Sequence, residues 1–362
     1  MADADYQQRE ADAVAAIKAA IPKHLKKNLA KDQVSDFAEL FEAPDIFPHH
    51  LLACSIDGVG TKLVLAEAME KYDTIGIDCV AMSANDLVTL GAVSPFLFMD
   101  YLAVQEHAEA HAGEIIRGVV NGLEQCDTSG IIHQHLPMNI GKGETASADE
   151  LLSSFRPGFG FDIAGAMIGF IKKDRLPKKA TPGDVIIALQ SSGPHSNGYT
   201  DLRHKLLRGE FESRKEYSKS YSGRFRLDDP FHDSTIGGAL LEPTRIYVKE
   251  VAAIAKKFSI AGVNSTGYGL KNLNRLGNLR FDITAPLEPQ PIFSLMQEEA
   301  NYTVEKMYRT FNMGMGFFVI ADRRDADDIL GMAKGAVIVG GVAKGSGTVL
   351  HKGGKKILYE GY

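Results

Sequence analysis

One carboxylate, two glycines, a hydroxyl and a lysine fall within the six positions Asp57-Gly58-Val59-Gly60-Thr61-Lys62, and a second polar group follows at Asp78, Asn85 and Asp86. Asp57 offers a hard oxygen ligand and Lys62 a compact positive charge suited to phosphate. Gly58 and Gly60 let the backbone take positive φ and approach a ligand closely. These are the parts of a metal and nucleotide site. The spacing fits neither the GxxxxGK[ST] phosphate loop nor the GxGxxG of a dinucleotide fold, and the turn alone is equally that of a capped helix. Asp78 and Asn85 are seven residues apart, within about 20° of each other on a helix, and Asp86 is the next position round. Their neighbours Ile77, Val80, Met82, Leu87 and Val88 are apolar. Carboxylates in such company are costly unless a cation or donor meets them. Acidic residues on two successive helices beside a glycine turn therefore favour a shared divalent cation over a solvated acidic face.

Further along, Gly141-Lys142-Gly143-Glu144-Thr145 brackets another acidic residue with glycines, although Thr145 and Ser147 ahead of Asp149-Glu150 also read as a helix cap. The stretch SSGPHSNGY at 191–199 follows a short apolar run and enters a helical pattern. Free backbone N–H groups and hydroxyls at such a turn make an anion seat, where His195 can bind substrate, move a proton or simply pack. A second glycine turn, NSTGYG at 264–269, again leads into a helix, and MYRTFNMGMG at 307–316 places Arg309 and Asn312 beside a buried strand. His133 and His135 share one face of a strand, with no third ligand at a zinc-like distance. Lys18 lies on an N-terminal helical pattern, where the ordinary lysine is solvated.

Holding these groups requires strand, turn and helix in succession. A strand ends at Ile56, a helix begins at Leu63, and residues 76–91 form a second helix. Residues 96–104 and 161–172 read as buried strands, 108–125 as a long amphipathic helix and 184–189 as a short strand. Residues 7–29 carry a helical pattern interrupted by Pro22, and 32–50 read as a loop. Residues 213–226 read as a surface excursion, 244–258 as a helix with Arg245 and Lys249 on one face, and 336–350 as a hairpin around Gly345-Ser346-Gly347. The charged, proline-bearing stretch 172–182 sets the boundary between domains 1–172 and 173–362.

With 362 residues, 44% hydrophobic and 24% charged, the chain is long enough for two globular domains. A net charge of −6 without any block of basic residues argues against nucleic acid or an anionic membrane as partner. No apolar run is long enough to span a bilayer and the start MADADYQQREADAV lacks the regions of a signal peptide, so a cytoplasmic protein is expected. Cys54, Cys79 and Cys126, odd in number and widely spaced, read as reduced structural residues.

The motifs DGVGTKL (57–63), DTIGID (73–78), NDL (85–87), GET (143–145), GPHSNGY (193–199), PTRIYVK (243–249) and MYRTFNMGMG (307–316) stand in a telling order. Over most of its length the chain resembles the phosphoribosylformylglycinamidine cyclo-ligases, also called aminoimidazole ribonucleotide synthetases. DGVGTK and NDL are shared with a wider superfamily that includes formylglycinamidine ribonucleotide synthetase, selenophosphate synthetase, thiamine-phosphate kinase and a hydrogenase maturation factor. GPHSNGY and PTRIYVK resemble the cyclo-ligases in particular. The resemblance implies a two-domain α/β (α+β) fold and a homodimer in which the N-terminal domains pair their sheets into a β-barrel, each backed by a C-terminal α/β domain. It implies ATP and Mg²⁺ in a cleft near the acidic motifs. The activity it implies is ATP-dependent closure of formylglycinamidine ribonucleotide to aminoimidazole ribonucleotide through an iminophosphate, a step of purine biosynthesis. Carried over motif by motif, it makes Asp57, Asp86 and Glu144 metal ligands with Asp78 in support. Lys62 and Lys18 would face phosphates, with Gly58, Gly60, Thr61 and Asn85 around the nucleotide. His195, Ser196 and Asn197 would hold the substrate or the transferring phosphoryl group, and Asn312 would line the same cleft. Asp86, His195 and Lys62 are thereby the expected catalytic residues.

Three segments depart from the family pattern. Ser35-Asp36-Phe37-Ala38-Glu39 stands where a glycine-rich segment covers ATP, GKGETASADE stands for GGETAEMP, and Asn264-Ser265-Thr266-Gly267-Tyr268-Gly269 replaces a turn of histidine, threonine and three glycines. A tyrosine in place of glycine fills volume and alters backbone freedom. These departures keep a second reading open, a paralogue that phosphorylates a different small amide or acceptor with ATP. A nucleotide-binding protein without turnover is disfavoured because Asp57, Asp86 and Glu144 are all present.

Overall fold

Side-chain alternation organises the first sheet of the computed structural model, which describes residues 12–13 and 15–361. Its strands are β1 (Glu39–Phe41), β2 (His50–Gly58), β3 (Ser94–Val104), β4 (Asn139–Ile140), β5 (Glu144–Ser147) and β6 (Phe161–Lys172). They run in the order β1-β2-β6-β3-β4, with β5 also paired to β3. Along β6, Phe161, Ile163, Gly165, Met167, Gly169 and Ile171 are buried while the alternate residues are not. The period of two gives the sheet one covered and one open face. The Asp73–Val88 helix lies on the covered face against β2 and β6, and the Ala112–Cys126 helix packs on that helix. Glycine makes this helix pair close: a Cβ on Gly76 would stand 2.1 Å from the Ile115 carbonyl oxygen, and one on Gly118 1.9 Å from that of Asp73.

The second half of the chain begins with β7 (Val185–Gln190) and a small hairpin of β8 (Pro230–Phe231) and β9 (Ser234–Thr235). It continues through β10 (Ala261–Asn264), β11 (Arg280–Ile283), β12 (Met315–Ala321), β13 (Val337–Ala343), β14 (Gly347–Lys352) and β15 (Lys355–Tyr359). Seven of these form a sheet in the order β10-β12-β7-β13-β11-β14-β15. β7 and β12 are continuous apolar runs because both lie inside it, and every residue of β12 is buried. The Val248–Lys257 helix and β10 pack against the Asp73–Val88 helix, which therefore touches both halves of the molecule and is buried nearly all round.

Local expectations hold where one period dominates, as in β2, β3, β6, β7 and the Asp73–Val88 helix. Three do not. The stretch 32–50 contains β1, whose Leu40 lies opposite Ala53 of β2; three residues are too few to carry an alternation signal. Residues 336–350 do not form a hairpin, because β11 lies between β13 and β14, antiparallel to one and parallel to the other. The hairpin is β14 with β15, turning at Gly353 and Gly354, both at positive φ. The helix expected from residue 244 begins at Val248, so Arg245 precedes it and pairs with Glu250 at 2.7 Å while Lys249 donates to the Glu124 carbonyl. In the helical pattern at 7–29, residues 12–13 and 15–20 are helical and the break falls at Pro22 as expected, with a 3-10 turn at Lys23–Lys26 after it; residues 1–11 and 14 lie outside the described residues. Cys54, Cys79 and Cys126 are free thiols.

Candidate active site

β2 carries Asp57 to its C-terminal end, where the Gly58 N–H donates to Asp57 Oδ1 at 2.7 Å. The Asp73–Val88 helix brings Asp86 in its last turn, at the end where unpaired carbonyls disfavour a carboxylate. Asn264, the last residue of β10, donates from Nδ2 to Asp86 Oδ1 at 2.8 Å. Burial pushes the Asp86 carboxyl up to about 7, the Asp57 charge adds to the rise, and the Asn264 bond and the Arg275 guanidinium oppose it. Burial likewise raises Asp57, against the Gly58 hydrogen bond. Asp57 and Asp100 both lie opposite Gly165 of β6, one from each side, and burial raises Asp100 as well. Neighbouring carboxylates that resist ionisation, with a neutral amide as the hydrogen-bond donor to Asp86, are a donor set that a hard divalent cation would neutralise.

Lys62 is fully buried and meets the same helix at Asp78, about two turns before Asp86. Its Nζ pairs with Asp78 at 2.8 Å and donates to the carbonyl oxygens of His195 at 3.0 Å and Glu242 at 2.7 Å. An ammonium has three N–H donors, so this set engages all of them. Asp78 also accepts from the Thr244 backbone N–H and hydroxyl, at 2.8 and 2.6 Å. Two turns further along the same helix face, Asn85 donates to the Arg245 carbonyl and accepts from the Tyr247 N–H. The helix thus grips the PTRIY segment of the second half at two points.

The turn after β7 is held from below by that grip. His195 sits at φ 62, in the left-handed region, and its imidazole is buried. Burial, helped by the Lys62 and Arg245 charges, lowers it to about 3, so the ring is neutral across the physiological range. Its Nε2 makes no hydrogen bond among the described residues, and neither does the buried Ser265 hydroxyl. Gly316 lies between them: a Cβ there would stand 2.6 Å from the His195 ring, and its carbonyl accepts from the Ser265 N–H at 3.1 Å. Asn312 accepts from the Ser191 hydroxyl and donates to the Gly193 carbonyl, bracing the turn. The Ser196 and Thr244 hydroxyls are 3.2 Å apart, and those of Thr61 and Thr200 are 3.3 Å apart, so the two glycine-flanked turns meet.

Residues 40–171 match the family described as AIR synthase related protein, N-terminal domain, and residues 181–353 match AIR synthase related protein, C-terminal domain. The chain belongs to this family. It is 41% identical over 299 residues to the phosphoribosylformylglycinamidine cyclo-ligase of Methanosarcina barkeri, covering 82% of this chain and 79% of that one. With the cyclo-ligase of Methanococcoides burtonii it shares 40% identity over 295 residues, 81% of this chain and 80% of the relative. Among solved structures, thiamine monophosphate kinase from Aquifex aeolicus superposes with a TM-score of 0.58 at 14% identity, over 96% of this chain and 98% of that one. HypE of E. coli gives 0.56 at 15%, over 98% and 96%. These two share the fold.

Within this AIR synthase-related frame, the expected site residues divide. Asp57 and Asp86 come together, and Lys62, Asp78, Asn85, His195, Ser196 and Asn312 form one connected network. Lys62 differs from expectation: it ties carbonyls and Asp78 together, leaving no N–H for a phosphate. Glu144 also differs. Gly143 does pack on Asp100, a Cβ there standing 2.6 Å from Oδ1, but the next residue is exposed on edge strand β5, 3.4 Å from Lys142. It is registered beside Tyr101, which lies on the open face, and one step of alternation turns Glu144 away from Asp57. Among the described residues no three His, Cys, Asp or Glu side chains are arranged to hold a metal ion. Lys18 is exposed and lines a cavity of about 400 Å³ with Ile21, Lys23 and Lys26. Sequence reasoning missed Asp100 and Asn264. A carboxylate interrupting the apolar run FLFMDYLAV was the available signal for the first.

Proposed function

We propose that the protein is the ATP-dependent cyclo-ligase that converts formylglycinamidine ribonucleotide to aminoimidazole ribonucleotide in cytoplasmic purine biosynthesis. The observation that carries this is the pair of half-buried, like-charged carboxylates Asp57 and Asp86, set where the two halves of the chain meet and near the His195 turn. Such a site suits phosphoryl transfer, which needs positioning and charge neutralisation more than a strong base. In this reading the γ-phosphoryl group of ATP passes to the formyl oxygen of the substrate, giving ADP and an iminophosphate. The substrate's own nitrogen then attacks that carbon, the C–O bond breaks, phosphate leaves and the ring closes.

Asp57 and Asp86 would hold Mg²⁺, which when bound neutralises phosphate charge. Gly60, at φ 71 with open space where a Cβ would be, lets the turn backbone approach the nucleotide. His195 is neutral, so it serves as a hydrogen-bonding partner for the substrate and contributes no positive charge. Lys62 and Asp78 act one step back, holding the His195 backbone in place. Nucleotide use is supported by the cyclo-ligase relatives and by a solved neighbour, Thermotoga maritima PurL complexed with ADP. That neighbour matches with TM-score 0.53 at 14% identity, over 92% of this chain and 46% of its own.

The homodimer belongs to the same reading. The open face of the first sheet is apolar, with Ile56 73% and Tyr101 48% exposed beside Leu97, Met99, Ile168 and Phe170, and a second copy is the partner expected to cover it. The deciding experiment follows phosphate release from ATP and Mg²⁺ with and without formylglycinamidine ribonucleotide, while ring formation is read in the same tube. Substrate-dependent release matched one for one by aminoimidazole ribonucleotide is the expected result. ATP turnover with another amide acceptor and no ring formation would favour the paralogue, a reading motivated by the altered turn at 264–269.

A further inference from the structure

Asp86 is held by a residue from the opposite half of the molecule. Asn264 ends β10, which pairs antiparallel with β12 so that Asn264 lies opposite Phe317. β10 presses on the end of the Asp86 helix: a Cβ on Gly262 would stand 2.9 Å from the Thr89 Cα, and the Thr89 hydroxyl donates to the Asp86 carbonyl at 2.7 Å. The residue after Asn264 is pinned by its N–H to the Gly316 carbonyl. The carboxamide is therefore buried on a rigid element, and its 2.8 Å bond occupies one oxygen of Asp86. A carboxylate with one oxygen held in this way has its other oxygen aimed.

We propose that Asn264 is a positioning residue that orients the Asp86 carboxylate for the divalent cation, and so makes the cation site depend on contact between the two halves of the chain. The inference rests on the reading of Asp57 and Asp86 as cation ligands. Asn264 need not touch the cation; a partner of a ligating carboxylate sets its orientation and basicity, and loss of such partners typically weakens metal affinity roughly 10- to 100-fold. A neutral donor also leaves the negative charge of Asp86 available to the metal, which a lysine or arginine at the same place would cancel. The like charges of Asp57 and Asp86 give the cation its reason to bind, and Asn264 gives Asp86 its direction.

The test is binding of Mn²⁺ alone, a spectroscopically visible ion with the oxygen preference of Mg²⁺, measured by electron paramagnetic resonance on the full chain. The proteins are wild type, Asn264→Ala, Asn264→Leu, Asn264→His and Asp86→Asn, with circular dichroism confirming the fold of each. Asn264→Ala is expected to weaken Mn²⁺ binding roughly tenfold or more, and Asn264→His, which keeps an N–H donor, to recover most of it. Asn264→Leu keeps the volume without the donor and replaces the alanine variant should that one not fold. Wild-type affinity in the alanine or leucine variant, with binding lost in Asp86→Asn, overturns the role of Asn264 and leaves the cation site standing. An equal loss in the histidine variant also overturns it, because packing would then be the cause. Unchanged binding in Asp86→Asn, or none in wild type, overturns the cation site and the proposal together.

Discussion

His195 shows how much a single backbone setting can decide. Its left-handed φ and the Lys62 bond to its carbonyl put a histidine, normally at home in water, into a fully enclosed place where it stays neutral. Between pH 6.5 and about 3 the unfolded chain binds a proton that the folded chain refuses. Stability is therefore lost as pH falls through that window, at up to about 1.4 kcal/mol per pH unit from this group. Asparagine tolerates the same left-handed backbone and does not titrate, so the variant His195→Asn is expected to flatten the melting temperature between pH 6.5 and about 4. An acid limb as steep as in wild type would refute the assignment. Lys62 invites a parallel test. Removing its charge in Lys62→Met leaves Asp78 buried without its cation and should cost about 3–5 kcal/mol in urea unfolding. Adding Asp78→Asn should return part of that loss, and strict additivity of the two changes would argue against the pair.

At the scale of elements, the Asp73–Val88 helix does the positioning. One of its faces carries Asp78 and Asn85 to the PTRIY segment, and its last turn carries Asp86 to Asn264. This was legible in outline, since seven-residue spacing and an apolar surround follow from the helical period alone. Its glycine was not. Gly76 reads as a weak helix former until the Ala112–Cys126 helix is seen against it, with no room for a Cβ beside the Ile115 carbonyl. Gly76→Ala, which raises intrinsic helix propensity, is nevertheless expected to destabilise by about 1–3 kcal/mol through overpacking, measured as a lower urea midpoint at unchanged slope. A stabilised variant would mean that the helices part easily. The strands divide in the same way. β2, β3 and β6 announce themselves by their length and apolar content, whereas β1 is too short, and the insertion of β11 between β13 and β14 is a matter of topology that no local window contains.

For the whole molecule, the two sheets behave differently toward water. The second has two strands buried along nearly their whole length, β7 up to its last residue and all of β12, while the first leaves one apolar face open along β2, β6 and β3. Ile168 lies mid-strand on that open face, opposite Cys54 and Leu97. If the proposed homodimer forms through this face, Ile168→Glu is expected to fold and to sediment as a monomer and wild type as a dimer, with turnover reduced in the variant. Equal sedimentation of both proteins would remove this face from the interface.

The amino-acid sequence by itself determined the two α/β halves, the glycine turns and the residue types at the site, because strand and helix periods act over a few residues and need no distant partner. Tertiary structure alone decided what those residues touch. Lys62 bonds a carbonyl 180 residues away, Asp86 takes its donor from 178 residues away, and Asp100 joins Asp57 only through the register of β6. Glu144 leaves the acidic group for the same reason, since one step along an edge strand selects the face of the sheet. Local pattern names the groups available for chemistry. Register and packing between distant segments assign each of them to a cation, a substrate or the frame.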